Sequence, residues 1–166
     1  HLAARFAWNL PEHEARHTNV TGSLRVAELA RHLDCRLVFI TGFMLANEAH
    51  LSRQGIQLSH PEQTDWSQVY RQAGGYEASK LESAFRLREF VAKHGLDAVE
   101  VQPATVAGHR STGDLDPAQP LYSLLDNLYH GRLAMIPGSP EHWLPLIPVD
   151  SLAQLIAAAC TATHVP

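Results

Sequence analysis

Cysteine, lysine and long hydrophobic runs are all scarce in this chain of 166 residues. Its two cysteines, Cys35 and Cys160, cannot form the framework of a disulfide-stapled domain, so a reducing cytoplasm is the expected compartment. The longest strongly apolar run, residues 37–46, is about half of a membrane span, which excludes a membrane-spanning helix. No basic stretch followed by an apolar one opens the sequence, so no secretory leader is read. Basic excess is lacking too. The net charge is -4, and nucleic acid is not an expected partner. Eleven arginines stand against two lysines, Lys80 and Lys93, which singles out each lysine. Neither a G-x-G-x-x-G turn nor a Walker loop occurs, so a common cradle for phosphate is missing. The chain opens His1-Leu2-Ala3-Ala4, which reads as the end of a strand. The expectation is therefore that the N-terminal part of a larger fold is missing from these residues.

What is present fits a globular α/β protein: 45% hydrophobic and 18% charged residues. Residues 11–33 read as a helix, with Asn9 as its cap, Pro11 in the first turn and Glu12 and Glu14 at the positive end. Leu37-Val38-Phe39-Ile40 is continuous rather than alternating, as buried parallel strands are. Residues 42–75 read as a long irregular stretch, expected beside a site and mobile in part. Residues 79–94 form a second helix closed by Gly95, and 98–102 a short strand ended by Pro103. Residues 103–145, rich in proline, glycine and histidine, read as a substrate-side subregion with one helix at 121–129. A last short strand at 146–149 precedes a helix with a stripe at Leu152, Leu155, Ile156 and Ala159. Helices alternating with short strands imply a parallel sheet within one partial domain over 1–166.

The chemistry-bearing pattern is Tyr76-Glu77-Ala78-Ser79-Lys80. Tyrosine and lysine at i, i+4 share a helix face. A phenol ionises near pH 10, too high for neutral acid–base work. An ammonium one turn away stabilises the phenolate and lowers that value. Alone, Y-x-x-x-K also fits a surface tyrosine beside a surface lysine. The surroundings add weight. Upstream, the strand ending at Ile40 delivers Thr41-Gly42, and Asn19-Val-Thr-Gly22 sits in the first helix. Downstream, a strand runs into Pro103-Ala-Thr-Val-Ala-Gly108, and Pro148-Val149-Asp150 opens the last helix.

In order and spacing these segments resemble the extended short-chain dehydrogenase/reductases. The stretch Gly75-Tyr76-Glu-Ala-Ser79-Lys80-Leu-Glu82 is most similar to the thioester reductase, or male-sterility, branch. The likeness runs from Ala3-Ala4 to about Ala159. It implies the C-terminal portion of a Rossmann-like, doubly wound parallel sheet that uses NADP or NAD. It implies Tyr76 as general acid, Lys80 as the residue that lowers its pKa and holds the nicotinamide ribose, and Thr41 as a hydrogen-bond partner of the substrate carbonyl. Asn19 would support the polar network, and Pro103, Ala104 and Val106 would flank the nicotinamide beside Tyr76 and Lys80. Ile40, Leu81 and Ala104 depart from the family's serine, tryptophan and glycine at those places.

A rival motif, His13-Glu14-Ala15-Arg16-His17, matches the H-E-x-x-H of zinc proteases. No third ligand stands out, and a solvated helix face accounts for it, so no metal is expected. Asp150 reads as the cap of the last helix, and Arg110, Ser111 and Thr112 as a solvated loop where a phosphate or pantetheine arm would also find donors. The resulting expectation is an NAD(P)-dependent reductase, free to form homo-oligomers, that acts on a small or carrier-bound carbonyl substrate such as an acyl thioester. A sugar-nucleotide epimerase or dehydratase and a 3β-hydroxysteroid-type dehydrogenase share the same pair. A non-catalytic structural half-domain is the alternative of another class. The 166 residues alone are expected to be inactive and to bind the cofactor weakly, because most dinucleotide affinity comes from the glycine-rich turn.

Overall fold

The computed structural model describes residues 1–135, 138, 139, 141 and 143–163. They divide into two compact units. The first is His1–Gln102 with the C-terminal residues from Ala159, and the second is Pro103–Ala158.

The first unit begins with an irregular segment and one long helical stretch. That stretch comprises α1 (Glu12–Ala15), a π-helical segment (Arg16–Thr21) and α2 (Gly22–His32). The expected helix over 11–33 is thus present, with a wider turn in its middle. Asn9 does not cap it. Pro11 occupies the N-cap position without a side-chain hydrogen bond, and its ring presets the backbone for the first turn. Buried residues face one side (Val20, Ala27, Ala30), whereas Leu29 and Leu33 are exposed.

Strand β1 (Leu37–Ile40) pairs in parallel with β2 (Ala98–Val101), Phe39 opposite Glu100. On the other edge of β1, His1 N donates to Val38 O at 2.5 Å and His1 O accepts from Ile40 N at 3.2 Å. At His1 this is the hydrogen-bond pattern of a parallel neighbour, but residues 1–4, which read as a strand end, form no strand.

Residues 42–75 are not irregular. They hold a 3₁₀ turn (Phe43–Ala46), α3 (Glu48–Arg53), a second 3₁₀ turn (Pro61–Gln63) and the start of α4 (Trp66–His94). Side chains explain the order. Asn47 caps α3 by accepting from His50 N, and Asp65 caps α4 by accepting from Gln68 N. Leu45, Leu51, Ile56, Trp66 and Val69 then bury against Leu81 and Ala84 of α4. These apolar residues lie on several short elements rather than on one helical or strand period, which is why the stretch reads as irregular in sequence. Helix α4 is broken at Gly74 (φ 78, ψ 166), a conformation open to glycine almost alone, and ends at Gly95 in the left-handed region. A second cluster joins Ala27 and Ala30 of α2 and Leu87 of α4 to Leu37 and Phe39 of β1. Two parallel strands with α3 and α4 between them form a β–α–β unit.

In the second unit β3 (Thr105–Ala107) pairs in parallel with β4 (Leu146–Pro148). Helix α5 (Pro120–Tyr129) lies between them in sequence, and α6 (Val149–Thr161) follows β4. The strand at 105–107 was hidden in a stretch dominated by proline and glycine. Asp150 lies in α6 and accepts from Arg110 N at 2.9 Å, which holds its carboxyl below the usual range. Residues 109–114 form an exposed turn closed by its own hydrogen bonds, among them Thr112 Oγ1 to Asp114 Oδ2 at 2.7 Å. The described strands make two pairs, not the wider doubly wound sheet, so α/β with short parallel strands is the architecture they show.

Candidate active site

Tyr76 and Lys80 lie one turn apart on α4, just after the break at Gly74, and both are half-buried. The break decides where the tyrosine sits. Gly75 abuts the chain at Leu10, where a Cβ would meet the Leu10 carbonyl oxygen at 2.0 Å. With no side chain at 75, the segment before α1 crosses the start of this turn. Phe6 then packs edge-on against the Tyr76 ring, centroids 4.7 Å apart.

Asn19 pins the same segment. It is 1% exposed and belongs to the π-helical stretch, a local form frequent at functional sites. Its Oδ1 accepts from Arg5 N at 2.7 Å, and its Nδ2 donates to Arg5 O at 3.0 Å and to Ser79 Oγ at 2.9 Å. Ser79 Oγ in turn donates to Tyr76 O at 2.8 Å. A chain of hydrogen bonds thus runs from the Arg5 backbone through Asn19 and Ser79 to the tyrosine's own main chain.

Lys80 Nζ donates to Ile40 O at 2.8 Å, at the end of β1. The next residue, Thr41, donates its hydroxyl proton to Glu100 Oε1 at 2.6 Å. Glu100 is gripped by Arg88 of α4 through two bonds, of 2.8 and 3.0 Å. Burial pushes the Tyr76 phenol up and the Lys80 ammonium down, so both neutral forms gain. The expected lowering of the tyrosine pKa by the lysine is therefore not the effect that governs here. Desolvation dominates, and Lys80 directs a proton to a carbonyl oxygen.

Tyr76, Lys80, Thr41 and Asn19 all belong to the first unit, tied by these contacts to α4 and the end of β1. Pro103 and Ala104 precede β3 and Val106 lies within it, half-buried in the second unit. Reading the sequence missed Glu100, Arg88 and the backbone of Arg5 and Leu10. Only Glu100 left a signal, an acid inside the apolar run of a strand. His13 and His17 are exposed, and among the described residues no three histidine, cysteine or acidic side chains converge as a metal site. Cys35 and Cys160 are free and exposed.

The donor set suits the nicotinamide half of a dinucleotide. An ammonium carries three N–H donors, and Lys80 directs one of them to Ile40. No described residue hydrogen-bonds the Tyr76 hydroxyl. The glycine-rich turn that seats a pyrophosphate does not occur in these residues. No helix among the described residues is long and apolar enough to cross a membrane. No curated protein matches the chain. Residues 1–156 match the model of the male sterility protein family, an NAD-binding domain, and the chain belongs to that family of nicotinamide-dinucleotide-binding oxidoreductases.

Proposed function

We propose that the chain carries the acid–base half of an NAD(P)-dependent carbonyl reductase, with a carrier-bound acyl thioester as the preferred substrate class. The observation that carries this reading is the Tyr76–Lys80 turn, held by Lys80 to the end of β1 beside Thr41. The bound dinucleotide supplies hydride. Tyr76 gives its phenolic proton to the oxygen that becomes an alkoxide, a step in which a positioned acid is typically worth about 10²–10⁴-fold. Lys80 has uncommitted N–H donors for the ribose and a charge that favours the phenolate once the proton has left. Asn19 and Ser79 fix the backbone from which Tyr76 projects. Pro103, Ala104 and Val106 are taken as cofactor contacts on the family likeness alone. The β–α–β unit and the bonds from His1 to β1 support placing β1 within a Rossmann-like sheet.

The test is Tyr76→Phe in the intact enzyme, assayed with NADPH or NADH and an acyl thioester of phosphopantetheine. The ring still packs against Phe6 and only the hydroxyl is lost. Turnover should fall by about 10²-fold or more with the melting temperature kept. Turnover within about twofold of the parent would show that Tyr76 gives no proton.

A further inference from the structure

We propose that Glu100 is a positioning residue that withholds Thr41 as a hydrogen-bond donor, a reading that rests on Thr41 lining the site proposed above. A hydroxyl has one proton. In this structure the Thr41 proton points to Glu100 Oε1 at 2.6 Å, the length of a charge-assisted bond. While that bond stands, Thr41 offers only lone pairs to a substrate, and a carbonyl oxygen receives no hydrogen bond from it.

The arrangement around Glu100 keeps the bond in place. In a parallel pair, residues in register share a face, so Glu100 lies on the same side of the sheet as its partner Phe39. Phe39 packs there against α2 and α4. A carboxylate on such a face needs compensation, and Arg88 of α4 supplies it from both Nε (2.8 Å) and Nη2 (3.0 Å). Gln102 Nε2 adds a third donor to Oε1 at 3.2 Å. Glu100 is therefore held at both oxygens and cannot turn away from Thr41 without breaking the Arg88 clamp. A valine here would continue the apolar strand Val99–Val101, so nothing in the strand itself calls for an acid.

The consequence has an unusual sign. If Glu100 were only structural, removing it would lower activity. If it withholds the Thr41 proton, removing it gives the carbonyl oxygen a second donor. With octanal and NADPH or NADH as probes of the intact enzyme, Glu100→Val should raise kcat/KM by about two- to tenfold, the range of one neutral hydrogen bond. The gain should vanish when Thr41→Val is added. Should a lone Arg88 unfold the variant, Arg88→Met with Glu100→Met replaces the pair by apolar side chains and should give the same gain.

Two controls separate this proposal from the reading beneath it. Denaturant unfolding of Thr41→Val, Glu100→Val and the double variant reports without any turnover whether the two side chains are coupled, and the losses should be non-additive. Tyr76→Phe reports on the reading. Additive losses, a folded Glu100→Val with lower kcat/KM, or a gain that persists with Thr41→Val would each overturn the role of Glu100. Turnover unchanged by Tyr76→Phe would overturn the reading beneath it, and this proposal with it.

Discussion

Lys80 Nζ and the carbonyl oxygen of Ile40 lie 2.8 Å apart, and this bond joins helix α4 to the last residue of β1. It sets the turn that carries Tyr76 beside the strand end that carries Thr41. Burial lowers the lysine's pKa, so its charge is held against a desolvation penalty and is stabilised by the carbonyl dipole. The residue thereby has a structural task before any cofactor binds.

Replacing Lys80 by methionine keeps the apolar stem and removes the ammonium. In the intact enzyme the variant should bind NAD(P)H more weakly, because the donors proposed for the ribose are gone. In the alcohol-oxidising direction, where Tyr76 must act as phenolate, the rate should rise only at higher pH than in the parent. The sign follows from losing a nearby positive charge that favours the anion. Fluorescence titration of NADPH and the pH–rate profile check both. Affinity and profile unchanged from the parent would leave Lys80 as a tie to Ile40 and nothing more.

Much of this was legible in residue order. Leu37–Ile40, the helix closed by Gly95 and the helix at Pro120–Tyr129 follow from apolar runs and end signals that act locally. Residues 42–75 were not legible as structure, because their order comes from tertiary burial of Leu51, Ile56 and Trp66 on α4. The pair Tyr76 and Lys80 was visible because i, i+4 spacing is a property of sequence. The clamp of Arg88 on Glu100 was not, since it joins a helix to a strand by a side-chain geometry that spacing does not encode. The π-helical turn at Asn19 was equally hidden. A wider turn changes which atoms face inward without changing the composition.

Asn19 makes its three hydrogen bonds while almost wholly buried, so Asn19→Leu should be strongly destabilising. The leucine keeps the branched heavy-atom skeleton in a bulkier side chain and leaves Arg5 N–H, Arg5 C=O and Ser79 Oγ without the amide. Each group left dry costs about 1–3 kcal/mol. Urea unfolding should show the loss, together with faster proteolysis ahead of α1 as the segment through Arg5 detaches. A change below about 0.5 kcal/mol, the level of an ordinary surface substitution, would mean that water replaces the amide and that the segment is not held by Asn19.

Gly75→Ala tests the crossing at Leu10. The added methyl would meet backbone atoms, the Leu10 carbonyl oxygen at 2.0 Å and its carbon at 3.0 Å, so no side-chain rotation relieves it. The segment must lift or α4 must shift, at about 1–3 kcal/mol or more. Lifting the segment also separates Phe6 from Tyr76, which should weaken the near-ultraviolet circular dichroism of the aromatic pair. An alanine variant with parental stability and an unchanged spectrum would contradict the close approach.

Stability at alkaline pH gives the last test, and its sign follows from burial of the Tyr76 phenol. The folded-state pKa is raised above the ordinary 10.0, so above that value the folded chain binds the proton more tightly than the unfolded chain does. The stabilisation is full below about pH 10 and is lost as pH rises through the higher folded value. Lys80 acts in the opposite sense, its lowered pKa giving stability back as pH climbs towards 10.5. Tyr70 is buried as well and its pKa is also raised. Both of these groups remain in Tyr76→Phe, so comparing parent and variant isolates the Tyr76 contribution. The difference in unfolding free energy should be flat up to about pH 9. It should then tilt towards the phenylalanine variant, by at most about 1.4 kcal/mol per pH unit, the limit for a single proton. Urea unfolding of both proteins at about pH 8 and about pH 11 measures the tilt. A difference that stays level over that range would mean that Tyr76 ionises as freely in the folded protein as in water, and that its hydroxyl lies in solvent rather than beside the buried turn.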